Sequence, residues 1–542
     1  MKRLVWLALF AAPLAAQDSF VDVTASSGVT FRHETGAFGK KWLPETMGSG
    51  VVIFDADGDD RLDLLFLNGR DFAAGGGKGK GATQKFYRNQ GGFKFADATA
   101  ASGLAISAYC MGGAAGDLDG DGDRDLYLSC VGQDFLLKND GKAKFTDVSA
   151  AAGLSPEYEF GASVAFFDPD KDGDLDIYAT RYVTWTPEKD LVCTLDGKNK
   201  SYCTPESYPG ASPRFYVNRG NGTFDDRTQA AGLLAPKAKA LGVAVLDLDN
   251  DGWDDLAVAN DTQPNLLYRN RGNGTFEEIG VASGMAFSET GVARGGMGID
   301  AADYDRSGRP SLVIGNFANE MVALYRNEGN RLFVDVAPLS QLGRKTLLVL
   351  TFGSLFLDYD LDGWLDLVLA NGHLDADIER IQPRVKFRQP SQLFRNQGKG
   401  NYVETAVPAL AMPRVGRGLA TGDLDGDGDL DLVLTENGGP AVILENRATG
   451  RGHWLRLALK GTKSPRDGVG ARIEVQAGGA TQTWLVRTGG SYLSQSEVHP
   501  TFGLGPAAVA DKITVRWPSG AVQVLEKVAA DRVLPVVEPT AP

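Results

Sequence analysis

The chain has 542 residues, 43% of them apolar, with 69 acidic residues against 55 basic ones for a net charge of −14. That length calls for several domains or one large repetitive one. The apolar fraction and the moderate glycine and proline content exclude wholesale disorder and a collagen-like chain, while the negative balance repels phosphate backbones and excludes nucleic acid as a partner.

The first segment reads Met1, Lys2, Arg3, an apolar run from Leu4 to Ala16 broken only by Pro13, then Gln17 and Asp18. This predicts a secretory signal peptide over residues 1–16, because about 13 apolar residues fall short of the roughly 20 needed to span a bilayer. No later stretch is long enough to span either, so the mature chain is expected to be secreted or periplasmic. Phe20-Val21-Asp22-Val23-Thr24 follows, a strand phrase with a glycine turn after it.

An acidic phrase then recurs seven times, beginning at Asp55, Asp117, Asp168, Asp247, Asp303, Asp358 and Asp423. Each copy is flanked by short apolar runs such as Val51-Val52-Ile53-Phe54 and Leu64-Leu65-Phe66-Leu67, too short for helices and readable as strands. An aromatic or aliphatic run closes on Asn89, Asn139, Asn218, Asn270, Asn327, Asn396 or Asn446, mostly with glycine after it, which is hairpin-turn chemistry. A fourth strand such as Phe145-Thr146-Asp147-Val148-Ser149 completes each copy. The repeat is a four-stranded antiparallel unit that buries its two faces only by stacking on its neighbours, as in a β-propeller. The seventh copy stops after its third strand, and the strand at Phe20 is expected to complete it and close the ring.

Six of the phrases fit Asp-x-Asp-x-Asp-Gly-x-x-Asp, with Asp60 in place of the glycine in the first. The side chains are Asp55, Asp57, Asp59 and Asp63; Asp117, Asp119, Asp121 and Asp125; Asp168, Asp170, Asp172 and Asp176; Asp247, Asp249, Asp251 and Asp255; Asp358, Asp360, Asp362 and Asp366; and Asp423, Asp425, Asp427 and Asp431. The fifth copy keeps only Asp303 and Asp305, with Ser307 and Ser311 in the other two places. Four carboxylates this close repel one another unless a cation sits among them. Calcium suits them because it accepts six to eight oxygens in flexible geometry. About six structural calcium ions are expected, with the fifth loop binding weakly or not at all.

Cys110, Cys130, Cys193 and Cys203 form an even set in an exported chain, which points to two disulfides. Sequence leaves three pairings open, and the local one, Cys110 with Cys130 and Cys193 with Cys203, is preferred over a metal site because no Cys-x-x-Cys pair occurs.

At this point the acidic phrases resemble FG-GAP (VCBS-like) repeats of integrin-like propellers, over about residues 20–446. Gly468-Val469-Gly470-Ala471-Arg472, Gly490-Ser491-Tyr492-Leu493-Ser494, Phe502-Gly503-Leu504-Gly505 and Trp517-Pro518-Ser519-Gly520 are similar, in order, to an ASPIC/UnbV domain. Together the chain resembles a bacterial member of the cartilage acidic protein family. The expected architecture is all-β: a signal peptide (1–16), a seven-bladed integrin-like β-propeller (17–446) and a small antiparallel β domain (447–542). The resemblance implies a secreted calcium-binding module for adhesion, with a glycan or protein partner and no enzymatic activity to carry over.

Candidate sites beyond calcium are His33 with Glu45, and His373, which meet near the channel if their loops share one face. Arg294 and Arg417 stand just before inner strands and line the axis unless acidic neighbours pair them. Trp185, in the long insertion of residues 181–213, is placed either to stack on a ligand or to pack over blade edges. The competing reading is an extracellular polysaccharide lyase or hydrolase, for which His33, His373, Arg294 and Arg417 must gather about one cavity.

Overall fold

The computed structural model describes residues 19–72, 82–194 and 197–540; the expected signal peptide lies outside them. Among the described residues the chain is all-β, with helices of at most six residues. Four-stranded antiparallel units succeed one another. The first comprises Val51–Phe54, Asp63–Phe66, Lys85–Asn89 and Phe95–Asp97. The pattern repeats from Cys110–Gly116, Glu159–Phe167, Ala240–Leu246, Gly296–Ala302, Thr351–Leu357 and Gly416–Gly422, each the first strand of its unit. The second and third units also touch through Phe160 opposite Val131. In the last unit the fourth strand is Phe20–Asp22, with Phe20 opposite Asn446, so the N-terminal strand completes the C-terminal sheet.

Strand alternation explains the stacking. Val51 and Ile53 pack with Ala420, Val433 and Ile443 of the last unit, whereas Val52 and Phe54 pack with Ala115, Leu126 and Leu137 of the second. Each successive pair of units shares a buried apolar cluster of this kind. Both faces of every sheet are therefore apolar, and the first strands neighbour one another in sequence and return from Gly416–Gly422 to Val51–Phe54.

The C-terminal module has a four-stranded antiparallel sheet and a three-stranded sheet. The expectation of a wholly antiparallel domain is corrected here: His453–Lys460 pairs parallel with Arg532–Val537, Leu455 opposite Arg532. Alternation reveals a strand but not the direction of its partner, and this pair joins the two ends of the module.

The module's residues 487–497 run into the axis of the ring. Gln495 N–H donates to Val51 O (2.9 Å) and Ile53 N–H to Gln495 O (3.0 Å). Gly490 N–H donates to Val243 O and Ile299 N–H to Ser491 O, both at 3.0 Å. Leu493 N–H donates to Ser163 Oγ (3.0 Å), and the Gln495 side-chain amide is paired both ways with the Ala115 backbone. First strands arranged about an axis expose backbone groups that need partners, and this segment supplies them. Gly50 is required by the close approach: a Cβ there would lie 2.0 Å from Leu493 O. Tyr492 and Leu493 are fully buried in one apolar cluster with Met111, Phe160, Leu241, Met297 and Phe352. The tail, expected only as a small β domain after the repeats, thus fills the axis of the ring.

Candidate metal centres and the axial cluster

Each acidic loop joins the first two strands of a unit, and its aspartates have fixed tasks. The first folds the loop over itself. Asp55 accepts N–H groups from Gly58 (2.9 Å) and Asp60 (3.0 Å), and Asp358 accepts from Asp362 (3.1 Å) and Gly363 (2.7 Å). The fifth-place aspartates accept an N–H two residues on, as Asp251 does from Trp253 (3.0 Å). The ninth-place aspartate uses one oxygen to accept the N–H of the closing asparagine, as Asp63 does from Asn89 and Asp366 from Asn396. Its other oxygen accepts the N–H of the second loop residue: Ala56, Leu118, Leu248, Tyr359 or Leu424.

The asparagines do more than turn a hairpin. Asn139 Nδ2 donates to Arg124 O in its own unit and to Ala56 O in the preceding one. Asn218, Asn270, Asn327, Asn396 and Asn446 reach Leu118, Pro169, Leu248, Tyr304 and Tyr359 O in the same way. Asn89 reaches Leu424 O, which ties the first unit to the last. Sequence reading missed this stitching, although seven asparagines at one register were its visible sign.

The carboxylates fit a cation. One oxygen from each of Asp55, Asp57 and Asp63 lies within 4.8 Å of the others, and the same holds for Asp117, Asp119 and Asp125; Asp168, Asp170 and Asp172; Asp247, Asp249 and Asp251; and Asp358, Asp360 and Asp366. Oxygens about 2.3–2.6 Å from one calcium ion stand at most about 5 Å apart, so these spacings suit a shared centre. The third-place oxygens Asp57, Asp119, Asp249 and Asp360 Oδ1 are buried without a hydrogen-bond partner, as is Asp176 Oδ2. Burial first, then neighbouring carboxylates, pushes Asp168 up to about 8; burial also lifts Asp63 and Asp125 to about 7 and Asp117 and Asp425 to about 6 against their hydrogen bonds. Asp255, Asp366 and Asp431 are pushed well above the usual range for the same first reason. Asp59, Asp121, Asp172, Asp362, Asp423 and Asp427 complete their loops at the expected places. In the fifth loop Asp303 accepts from Ser307 and Gly308 N–H and from Thr483 Oγ1, with Asp305 beside it.

The module docks on this loop face. Arg472 pairs with Asp247 (2.6 Å) and Asp254 (2.9 Å), Arg456 with Asp423 (2.9 Å), and Asp467 with Arg124 (2.7 Å). Loops joining the second and third strands lie at the opposite end of the units, where the insertion of residues 181–213 and the Cys193–Cys203 disulfide are found. Cys110 and Cys130 are bonded across the first two strands of the second unit.

Three of the remaining candidates do meet, around a buried cation. Arg417 is completely buried; its guanidinium donates to the carbonyls of Thr46, Gly372, Gly416 and His373 and lies 3.9 Å from the Phe352 ring centroid. Burial lowers its pKa to about 9. Burial and the Arg417 charge hold His33 down at about 3 and His373 at about 4, so both rings are neutral. His33 Nδ1 accepts from Gly438 N–H and His373 Nδ1 from Asp375 N–H, each at 3.1 Å. Both Nε2 atoms are buried without partners. Glu45 Oε2 accepts from Tyr202 (3.0 Å), and burial raises its pKa. Arg294 lies apart, paired with Glu289 (2.6 Å) and Asp335 (2.8 Å). Trp185 is buried against Trp42, Phe72 and Phe160, its Nε1 donating to Asp190 (3.2 Å). Its ring offers no open face for stacking.

The FG-GAP-like repeat description matches residues 117–179, 189–258, 247–314 and 358–434, and the ASPIC and UnbV description matches residues 461–542. Cartilage acidic protein 1 of Xenopus tropicalis is 24% identical over 505 residues, covering 88% of this chain and 71% of that protein. The Homo sapiens protein of that name is 26% identical over 437 residues, covering 76% and 60%. The chain thus spans 60% of the human relative's length. Among solved structures, an Agrocybe aegerita lectin recognising non-reducing terminal N-acetylglucosamine aligns with 17% identity and a TM-score of 0.39, over 73% of this chain and 87% of that one. A BBS1N–ARL6DN complex aligns with 10% identity and a TM-score of 0.43, over 80% and 99%. The chain therefore carries FG-GAP-like repeats followed by an ASPIC and UnbV domain, and is homologous to cartilage acidic protein 1.

Proposed function

We propose that this chain is an exported, calcium-stabilised seven-bladed β-propeller that serves as an extracellular binding module for a glycan or protein partner. The signal peptide is residues 1–16, the propeller residues 17–446, and residues 447–542 form the module that caps its acidic face and fills its axis. The observation that carries the binding reading is the occupied axis. Tyr492 and Leu493 take up the space in which a propeller enzyme would hold its substrate, leaving the opposite face and its insertions for recognition. That face presents Phe38, Leu191 and Val192 exposed, with Lys41 lying over the Tyr202 ring. Loops on a rigid scaffold commonly carry recognition.

Calcium would be held by the loop carboxylates and would supply charge neutralisation; the chain's own residues set the loop shape, as the hydrogen bonds to the first and ninth aspartates show. Stripping divalent ions should lower the melting temperature and calcium should restore it. Native mass spectrometry of the reloaded protein should count about six ions; an unchanged melt with no uptake would defeat the calcium reading. Screening the loaded chain against glycan and secreted-protein panels tests the partner. A specific partner should lose affinity in Val192→Asp, and a partner indifferent to Val192→Asp and to Tyr202→Ala would place recognition elsewhere.

A further inference from the structure

Building on the calcium reading above, we infer that the acidic loops are ranked, and that the loop of the third unit, from Asp168 to Asp176, is the first to fill and the last to release its ion. Two sequence differences set it apart.

The first is the residue before the closing asparagine. In the first, second, fourth and sixth units it is a cation lying against the loop. Arg88 meets Asp57, and Lys138 meets Asp119 and, at 3.3 Å, Asp121. Arg269 reaches Asp249 (3.0 Å) and Asp251 (2.7 Å), and Arg395 reaches Asp360 (2.7 Å) and Asp362 (3.0 Å). These side chains partly neutralise the carboxylates that a divalent ion would use. In the third unit that place is Val217. Among the described residues no lysine or arginine forms an ion pair with Asp168, Asp170, Asp172 or Asp176. The loop's own Lys171 turns away to lie 3.9 Å over the Trp253 ring of the next unit. The seventh unit has Glu445 at this place, but Arg451 and Arg456 supply cations to Asp427 (3.0 Å) and Asp423 (2.9 Å).

The second difference is Pro169. In five other loops the second residue donates its N–H to the ninth carboxylate. Proline has no N–H. Asp176 Oδ2 is consequently buried with no partner in a residue only 3% exposed, an acceptor left for a cation. A fixed unit charge roughly 6 Å from a divalent ion changes its affinity on the order of tenfold even with water-like screening. Its absence, together with a free buried oxygen, gives the third loop its lead.

The test is a calcium titration of the stripped full chain in competition with a fluorescent chelator. Wild type should show one ion held about tenfold more tightly than the rest. Val217→Arg and Asp176→Asn should each abolish that tight class and leave the weaker ions in place. Because Val217 is partly buried and its variant risks misfolding, Lys138→Val provides an independent arm: Lys138 lies against Asp119 and Asp121 of the second loop, and its removal should tighten that loop's ion about tenfold. Wild-type uptake in a single class, or a tight ion surviving both third-loop variants, or no gain in Lys138→Val, overturns the ranking alone. A chain that takes up no calcium at all overturns the underlying reading and the ranking with it.

Discussion

Tyr492 belongs to the C-terminal module, yet its ring sits in the axis of the repeats, 4.8 Å from the Phe352 centroid in edge contact, with its hydroxyl donating to Met47 O at 2.9 Å. Tyr492→Ala removes a fully buried ring and opens a cavity that rigid strands cannot close, at a cost of about 3–5 kcal/mol. Tyr492→Phe keeps the ring and strips the Met47 carbonyl of its donor, a cost of about 1–2 kcal/mol. Both losses should appear in the unfolding of the whole molecule. Scanning calorimetry at fixed calcium should show one cooperative transition moving down in the order wild type, Tyr492→Phe, Tyr492→Ala. Hydrogen exchange should rise together in Val51–Phe54, Gly296–Ala302 and the C-terminal strands. If the module instead melts in its own lower transition while Val51–Phe54 keeps full protection, the axial segment is not part of the propeller core and the reasoning fails.

Two other predictions concern buried charge. Asp261 is buried, accepts from Tyr182 (2.6 Å), and is pushed up to about 7, first by desolvation and then by Glu320 against the pull of Tyr182 and Lys239. Because its folded pKa is raised, the contribution to stability is complete below the ordinary carboxylate pKa and is lost as pH rises through about 7. Asp261→Asn should therefore flatten the fall in stability between pH 4 and 8 by on the order of 4 kcal/mol in denaturant melts, and an identical pH slope would refute the assignment. Arg417→Met removes the charge that helps hold His33 and His373 neutral. Histidine NMR titration should find both values moved up from about 3 and about 4, still below 6.5 because burial is the larger cause. No movement would mean that burial alone sets them.

The repeats were legible because the acidic loops need fixed spacing: the first aspartate must reach the loop's own N–H groups and the ninth the closing asparagine, so the register cannot drift. The ring closure at Phe20 was legible for a related reason, since a strand phrase stood ahead of its repeat and another repeat ran short. What escaped reading depends on contacts between distant segments. Gly490-Ser491-Tyr492-Leu493-Ser494 looks like a glycine-led turn, and only the backbone groups of the first strands, far away in sequence, make it a core element. Asn89 to Asn446 read as turn residues because their Nδ2 partners lie in another repeat. The lyase reading requires His33, His373, Arg294 and Arg417 about one cavity; the first, second and fourth lie together, while Glu289 and Asp335 hold Arg294 elsewhere.

The first-place aspartates tie the repeats to the module that caps them. Asp247 folds its own loop by accepting from Asp251 and Gly252 N–H, contributes an oxygen to the cluster with Asp249 and Asp251, and accepts Arg472 of the module at 2.6 Å. Asp423 does the first and last of these with Gly428 and Arg456. A cation that orders such a carboxylate also orders the acceptor that the module grips, and the module's arginine reduces the repulsion that the empty cluster would suffer. By linkage the two compete: an arginine that relieves the repulsion of the empty cluster lowers that loop's affinity for a cation. Asp247 Oδ2 accepts both Arg472 Nε and Gly252 N–H, while Oδ1 accepts Asp251 N–H. One carboxylate thus serves the loop and the cap together, and the acidic face is an internal joint of the molecule.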